Sequence, residues 1–423
     1  MRVLFVNQYY APDFAATAQQ MSDLCERLVL RGHEVHVLTS RAIYDGRQIE
    51  LPTYEVLNGV HVHRLGLEVS GRERLRHRFM GYLSFFAKAF AKGTFLPRPD
   101  VVVVLTTPPM IGLLGAWLRL VRGTRFVYWV MDIYPDIALE AGVLARAGLV
   151  RAVWSLVGRL SYRSAHRIIV LGSDMRAVIK RKLHRRAHDK VDVIRSWPGN
   201  SDVHPVPPGE NPFRAAHLAP AGTFSLMYSG NMGTCHAFQA AIPGIQAFAG
   251  RRDVHFSFVG GGKQRPKLEE NLAAQSENVI FLPYQEREQL SLSLSAPDAH
   301  LVTLHPKYDG LLVPSKIYGI LAAGRAVLFA GSENNEVANI IHQSGCGMVV
   351  PHDDPEKFRA AVEWMVANPE EVRAMGERGR RYFEQHLQTG HLTDLFSEIL
   401  EREAEEVDAW DVTPEPAPKN SHR

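Results

Sequence analysis

Short apolar runs recur along this chain, each followed by a turn and then by an amphipathic stretch, and that rhythm limits the folds open to it. RVLFVN, starting at Arg2, leads into a helical pattern through Met21 to Leu30; EVHVLTS, VHVHRL, DVVVVLTT, RFVYWV and RIIVLG follow. Strand, helix, strand in this order predicts parallel strands with helices on both faces. The expectation is a doubly wound α/β lobe of Rossmann type.

At residues 191–213 the chain reads VDVIRSWPGNSDVHPVPPGENPF, a shift to Pro, Gly, Asn and Ser that marks a connection between lobes. The rhythm then restarts with FSLMYSG, VHFSFVG, VIFLPY, AHLVTL, AVLFAG and GMVVP. A chain of 423 residues, 46% of them apolar, is long enough for two such domains and a cleft between them. The expected division is residues 1–200, residues 201–375, a helix over 376–408 crossing back to the first domain, and a disordered Pro-rich tail over 409–423.

Composition removes several classes of function. A net charge of +3, from 48 basic and 45 acidic residues, does not suit a bulk polyanion binder, and no nucleic-acid module accompanies it. Cys25, Cys235 and Cys346 lie far apart without a CxxC, which argues against disulfides or zinc and fits a reducing cytoplasm. The 19 histidines show no HExxH spacing, and no DxD pair is present, so neither metal nor other cofactor is expected. No run reaches the roughly 18 apolar residues of a spanning helix.

Three turns at strand ends in the second half carry the chemistry. YSGNMGTCHAF sets Gly230 and Gly233 around Asn231 and Met232, ahead of an expected helix. FVGGGKQR sets Gly260, Gly261 and Gly262 before Lys263. GLLVPSKIYGILAAGR sets Pro314, Ser315 and Lys316 at a helix start, with Ser315 as the expected cap and Gly324 as the stop. Glycine lets backbone N–H groups approach an anion, and a lysine in a helix's first turn adds a full positive charge. Together they predict an anion-binding floor for a phosphate or diphosphate.

With YSGNMG, FVGGG and VPSKIYGILAAGR, the sequence resembles the retaining GT-B glycosyltransferases of family 4, in particular the bacterial branch that builds colanic acid, capsule and O-antigen. NQYYAPDFAATAQQM and YWVMDIYPD in the first half resemble that family's first loop and acceptor mouth. The resemblance implies a nucleotide sugar on the C-terminal lobe, a lipid-linked glycan acceptor on the N-terminal lobe, and transfer with retention in the cytoplasm, at or near the inner membrane face. The donor implied is uridine-linked, with an N-acetylated amino sugar among the candidates. Alternatives are a GT-B epimerase of UDP-sugars and a partner that binds nucleotide sugar without turnover.

The departures from the family bear on the site. Asn231 and His236 stand where relatives carry an arginine and a lysine that meet the diphosphate, and Leu311 and Gly319 stand where relatives carry two glutamates. Lys316, helped by Lys263, is therefore expected to meet the donor charge, because an unpaired buried anion is costly. Glu336 is expected to meet ribose or sugar hydroxyls, with Glu333 beside it. His236 and Tyr284 complete the donor-side set. Asp132, after RFVYWVM, is the expected catalytic carboxylate, orienting or deprotonating an acceptor hydroxyl. Asp13 and Phe14 are expected to contact the acceptor. Residues 72–96, rich in Arg, Lys, Phe and Tyr, read as a helix lying on an anionic membrane.

Overall fold

The structure, a computed structural model, describes residues 1–13, 15–43, 50–66, 75–142, 148–198, 203–218, 222–272 and 277–411. In the first lobe, β1 (Arg2–Val6), β2 (Glu34–Ser40), β3 (Tyr54–Leu57), β4 (Val60–Leu65), β5 (Val101–Leu105), β6 (Arg125–Val130), β7 (Arg167–Val170) and β8 (Val191–Val193) form one sheet in the order β3-β4-β2-β1-β5-β6-β7-β8. Only β3 is antiparallel to its neighbour. The central strands are buried along their length, as VVVVL of β5 requires. Between the strands run α1 (Ala16–Leu30), α2 (Leu75–Phe95), α3 (Gly112–Arg122), α4 (Asp136–Glu140), α5 (Gly148–Ser164) and α6 (Ser173–Lys182).

In the second lobe, β9 (Phe224–Ser229), β10 (Val254–Val259), β11 (Val279–Leu282), β12 (Ala299–Thr303), β13 (Ala326–Ala330) and β14 (Gly347–Val350) are all parallel, in the order β11-β10-β9-β12-β13-β14. Its helices are α7 (Pro212–His217), α8 (Ala241–Gln246), α9 (Arg265–Leu272), α10 (Leu290–Ser295), α11 (Lys316–Ala322), α12 (Glu336–Ser344), α13 (Pro355–Ala367), α14 (Pro369–His386) and α15 (Thr389–Asp411). Every apolar run named above is a strand; β3 and β8 are additional. The order has the chain start mid-sheet and reverse between β9 and β12, the switch point outside which α/β sheets bind ligands. The first sheet reverses likewise between β1 and β5.

The charged C-terminal stretch, expected as one helix, is two, α14 and α15, broken at Leu387 and Gln388. Helix α15 packs on the first lobe. Arg27 pairs with Asp394 at 2.6 Å and Arg31 with Glu401 at 2.7 Å, while Arg125 and Arg167 converge on the buried Glu403. The Phe396 ring meets Trp129 of β6 edge-on at 4.8 Å. Of the tail expected to be disordered, residues 412–423 lie outside the described residues.

The aromatic side of α2 also departs from expectation. Phe85 is buried, and Phe86 and Phe90 pack against the core of the first lobe. Those rings cover the sheet rather than face outward, because a helix lying on a parallel sheet needs an apolar face of its own. Residues 72–74 of the expected membrane segment lie outside the described residues.

Candidate functional site

The switch point of the second lobe is built backbone on backbone. Gly230, directly after β9, has φ 114°, and Gly260 and Gly262, after β10, have φ 123° and 131°, a region that glycine alone occupies without strain. A Cβ on Gly260 would stand 2.3 Å from the Gly230 carbonyl oxygen, and one on Gly262 2.5 Å from Asn231 Oδ1. The two turns are locked by the Met232 N–H donating to the Gly261 carbonyl at 2.6 Å and by Gln264 Nε2 donating to the carbonyls of Gly233 and His236.

Lys316 enters this floor from α11. Its Nζ donates to the Asn231 carbonyl at 3.2 Å and to His236 Nε2 at 3.3 Å, and stands 5.0 Å over the Tyr228 ring. His236 Nδ1 lies 2.6 Å from the Thr303 carbonyl at the end of β12; a carbonyl can only accept, so Nδ1 carries the proton and Nε2 turns its lone pair to Lys316. Burial, with the Lys316 charge second, lowers the His236 pKa to about 3, so this histidine is neutral near pH 7. It positions Lys316. Burial likewise lowers Lys316 from 10.5 to about 8. Among the described residues Lys316 makes no ion pair: the site holds one partly desolvated cation without a counter-charge.

Two local expectations fail here. Ser315 does not cap α11: it is already helical, at φ -64° and ψ -14°, is exposed, and makes no side-chain cap hydrogen bond. Helix α11 is only seven residues long, so the lysine side chain and not the helix dipole supplies the charge. The helix expected after Gly233 does not form either; the next one, α8, begins at Ala241. The remaining donor-side residues are dispersed. Pro314 is buried, Lys263 is exposed, and Tyr284, 61% exposed, stands beside Gly261, where a Cβ would meet its ring at 3.1 Å.

Leu311 and Gly319 have physical reasons to lack carboxylates. Leu311 is buried between the lobes, its carbonyl accepting from the Ile133 N–H at 2.9 Å. A Cβ on Gly319 would come within 3.2 Å of Leu294 Cδ1 on α10, an apolar neighbour.

From the first lobe, Asp132 follows β6 and donates its N–H to Thr106 Oγ1 at 3.2 Å, just past β5. Burial pushes its carboxyl up to about 6. The half-buried Cys235 lies within electrostatic reach of groups from both lobes. Burial raises its thiol pKa, Lys316 draws it down and Asp132 pushes it up. Lys316 of the second lobe and Asp132 of the first thus both bear electrostatically on Cys235.

The other candidates do not join that cluster. The Glu336 carboxylate is fully buried and turned to the first lobe and its connecting strand: Oε1 accepts from Arg195 Nε at 2.8 Å, and Oε2 accepts from the N–H and Oγ of Ser173, each at 3.0 Å. Its partners are first-lobe groups, not an open donor pocket, which corrects the ribose-contact expectation. Glu333 is exposed and pairs with His342 at 2.8 Å. Asp13 is buried, with Oδ1 accepting from the Ala15 N–H at 2.9 Å ahead of α1; Phe14 lies outside the described residues.

Glu336→Ala leaves the Arg195 guanidinium and Ser173 without their acceptor and is expected to cost roughly 3 kcal/mol, read as a lower urea or thermal midpoint, with the donor dissociation constant within about twofold of the parent. An unchanged midpoint with donor binding weakened tenfold would return Glu336 to the donor site.

Comparison with known proteins agrees with this architecture. Residues 16–197 match the glycosyl transferase 4-like domain and residues 223–368 the glycosyl transferases group 1 domain. The probable glycosyltransferase WbjE of Pseudomonas aeruginosa is 28% identical over 267 residues, which span 63% of this chain and 66% of that protein. WcaI of Escherichia coli strain K12, named as a colanic acid biosynthesis glycosyl transferase, is 24% identical over 86% of this chain and 90% of its own length. Among solved structures, sucrose-phosphate synthase of Thermosynechococcus elongatus superimposes with a TM-score of 0.73 at 16% identity, over 95% of this chain and 98% of that one. Anabaena HepE in complex with UDP-glucose gives 0.68 at 12% identity, over 95% and 100%. With two domain models covering its two lobes in order, relatives named as glycosyltransferases, one of them for colanic acid biosynthesis, and two doubly wound sheets facing across a cleft, the chain belongs to the GT-B glycosyltransferases of the bacterial polysaccharide-biosynthesis type.

Proposed function

We propose that this protein transfers a hexosyl or N-acetylhexosaminyl group from a uridine-linked nucleotide sugar to a lipid-linked glycan, with retention and without a metal ion. The observation that carries the reading is the cation of Lys316, without a counter-charge among the described residues, at the β9/β12 switch point. A donor diphosphate supplies the missing charge: its oxygens accept from Lys316 Nζ and lie against the Gly230 and Gly260 to Gly262 turns, whose lack of Cβ atoms leaves the backbone open. His236 holds Lys316 in place through Nε2. The acceptor hydroxyl approaches from the first lobe, where the Asp132 carboxylate orients it and, in its ionised form, accepts a hydrogen bond from it. The uridine preference is supported by the UDP-glucose complex of HepE, and a glycan acceptor by the colanic acid naming of WcaI; the lipid anchor on that glycan is part of the proposal.

The experiment is a thermal-shift panel of UDP-, GDP- and TDP-sugars in the presence of EDTA, followed by measurement of nucleoside diphosphate release with and without acceptor. A shift confined to UDP-sugars, and release that needs acceptor, are the expected results. No shift with any nucleotide sugar overturns the reading. Binding without release turns it to a non-catalytic partner, and sugar interconversion without acceptor turns it to an epimerase.

A further inference from the structure

Alternation along neighbouring strands gathers a distinct set of side chains at one edge of the first sheet. In EVHVLTS and VHVHRL every second residue shares a side, so His36 of β2 comes beside His61 and His63 of β4; His36 is opposite His61 in register, and Tyr54 of β3 is opposite His63. The His36 ring stacks on His61 at 4.7 Å and on His63 at 5.6 Å, and the half-exposed Tyr54 ring lies 5.1 Å from His63. Burial, with the Lys92 charge second, lowers the His63 pKa to about 4, so that ring is neutral near pH 7. The rings form a platform.

His36, Tyr54 and His63 line a cavity of about 600 Å³, within the ordinary range for a small-molecule site. Four cations line it as well: Arg41 directly after β2, Arg64 of β4, and Lys88 and Lys92, one turn apart on α2. Among the described residues no Asp or Glu does. The nearby carboxylates are already engaged, Glu55 with Arg64 and Glu34 with Arg2 and His36. Arg64 is 2% exposed and fixed, donating to the Ala11 carbonyl at 2.8 Å, whereas Lys88 and Lys92 are exposed and make no ion pair among the described residues. A wall of cations without a carboxylate selects an anion. The rings beside it select one carried on a sugar, because an aromatic face offers apolar area to the C–H side of a pyranose.

We propose that this cavity is a subsite for an acidic sugar, one bearing a carboxylate, in the glycan acceptor. The carboxylate accepts from Lys88 and Lys92 Nζ, within the field of Arg41 and Arg64, and the sugar ring lies against Tyr54. That the ligand belongs to an acceptor glycan rests on the proposed function. Strands β4, β2, β1, β5 and β6 are parallel neighbours in that order, so Arg41, Leu65 and Gly66 of the cavity stand at the same carboxyl-end side of the sheet as Asp132. Four strand steps of about 4.8 Å, about 19 Å in all, separate β4 from β6. The acidic sugar is therefore a few residues along the acceptor from the hydroxyl that reacts, and the cavity selects the acceptor without entering the reaction.

The test is an NMR titration of the full chain with two probes of equal length, a hyaluronan tetrasaccharide, which carries glucuronate, and chitotetraose, which is neutral. The acidic probe is expected to bind about tenfold more tightly or better, and less so as salt rises. Lys88→Ala with Lys92→Ala should remove that preference, while Lys88→Arg with Lys92→Arg should keep it within threefold. Lys267→Ala with Lys357→Ala, which takes the same charge from exposed positions of the second lobe, should change nothing. Equal affinity for the two probes, or a preference that survives the alanine pair, overturns the inference. Inorganic phosphate bound more tightly than the acidic tetrasaccharide makes the cavity a free-anion site and overturns the saccharide assignment. No nucleotide sugar is present in this titration, so its failure leaves the donor reading standing, and failure of the donor reading leaves this binding measurable.

Discussion

Lys316→Met should remove donor binding while leaving the unliganded protein as stable as the parent or more so. Methionine keeps the reach and volume that Lys316 lays over the Tyr228 ring, so the floor of the site stays packed. What it removes is the cation. A charge-assisted hydrogen bond contributes about 1.5–3 kcal/mol, and leaving a partly buried diphosphate charge unmet about 3–5 kcal/mol, so the expected loss in kcat/KM is on the order of a hundredfold or more. The pH dependence has a definite sign. Burial holds the folded-state pKa of Lys316 near 8, below its ordinary 10.5. The folded chain therefore binds fewer protons than the unfolded chain between those values, and this residue's contribution to stability rises as pH climbs from about 8 to 10.5. Donor binding runs the other way. The diphosphate needs the ammonium, so affinity should fall above about pH 8, and binding at pH 9 should take up a proton from buffer, which calorimetry in two buffers of different ionisation enthalpy reads directly. Lys316→Met should lose that proton uptake and the donor-induced thermal shift together. A variant that keeps donor affinity within threefold sinks the assignment.

The parts of this molecule that were legible from sequence are those determined locally. Parallel strands buried on both faces must be apolar throughout, so RVLFV and VVVVL announce themselves, whereas β3 (YEVL), an exposed edge strand, and the three-residue β8 do not. The glycine turns and Lys316 were readable because each is a short motif at a strand end. Glu336 was misread because the group that determines its role, Arg195, lies 141 residues away across the lobe boundary. An acidic residue at a helix start looks the same in sequence whether it faces a ligand or another lobe. The aromatics of α2 show the same ambiguity in apolar form, since a stripe of Phe fits a sheet as well as a membrane, and only the packing of Phe85, Phe86 and Phe90 against the core of the first lobe shows which face is covered. Ser315 carried a capping signal that its own backbone angles cancel.

Asp132→Asn should leave donor binding intact and lower kcat by 10²- to 10⁴-fold, roughly the range for loss of a positioned acid–base group. The two substitutions therefore separate the lobes: Lys316 acts on donor affinity and Asp132 on the step that needs acceptor. Burial raises the Asp132 carboxyl from 3.8 to about 6, so as pH falls through 6 the carboxylate takes up a proton and can no longer accept the hydrogen of an acceptor hydroxyl. The rate should accordingly fall on the acid side of pH 6 with a slope of one proton, and Asp132→Asn should lack that limb. Stability moves in the opposite sense, because a folded-state pKa above the unfolded value favours the folded chain as pH drops from 6 towards 3.8; the asparagine variant loses that gain as well. The opposite signs make the pair diagnostic. A merely structural Asp132 would lower the thermal midpoint without removing an acid limb from the rate profile, whereas an acceptor-orienting Asp132 removes the limb, raises the KM for acceptor and leaves the UDP-sugar thermal shift in place. Retention of activity within threefold by Asp132→Asn would shift the acceptor chemistry to another group on the first lobe, with Glu140 the next carboxylate to test, because Asp136 is already held by Lys182 at 2.7 Å.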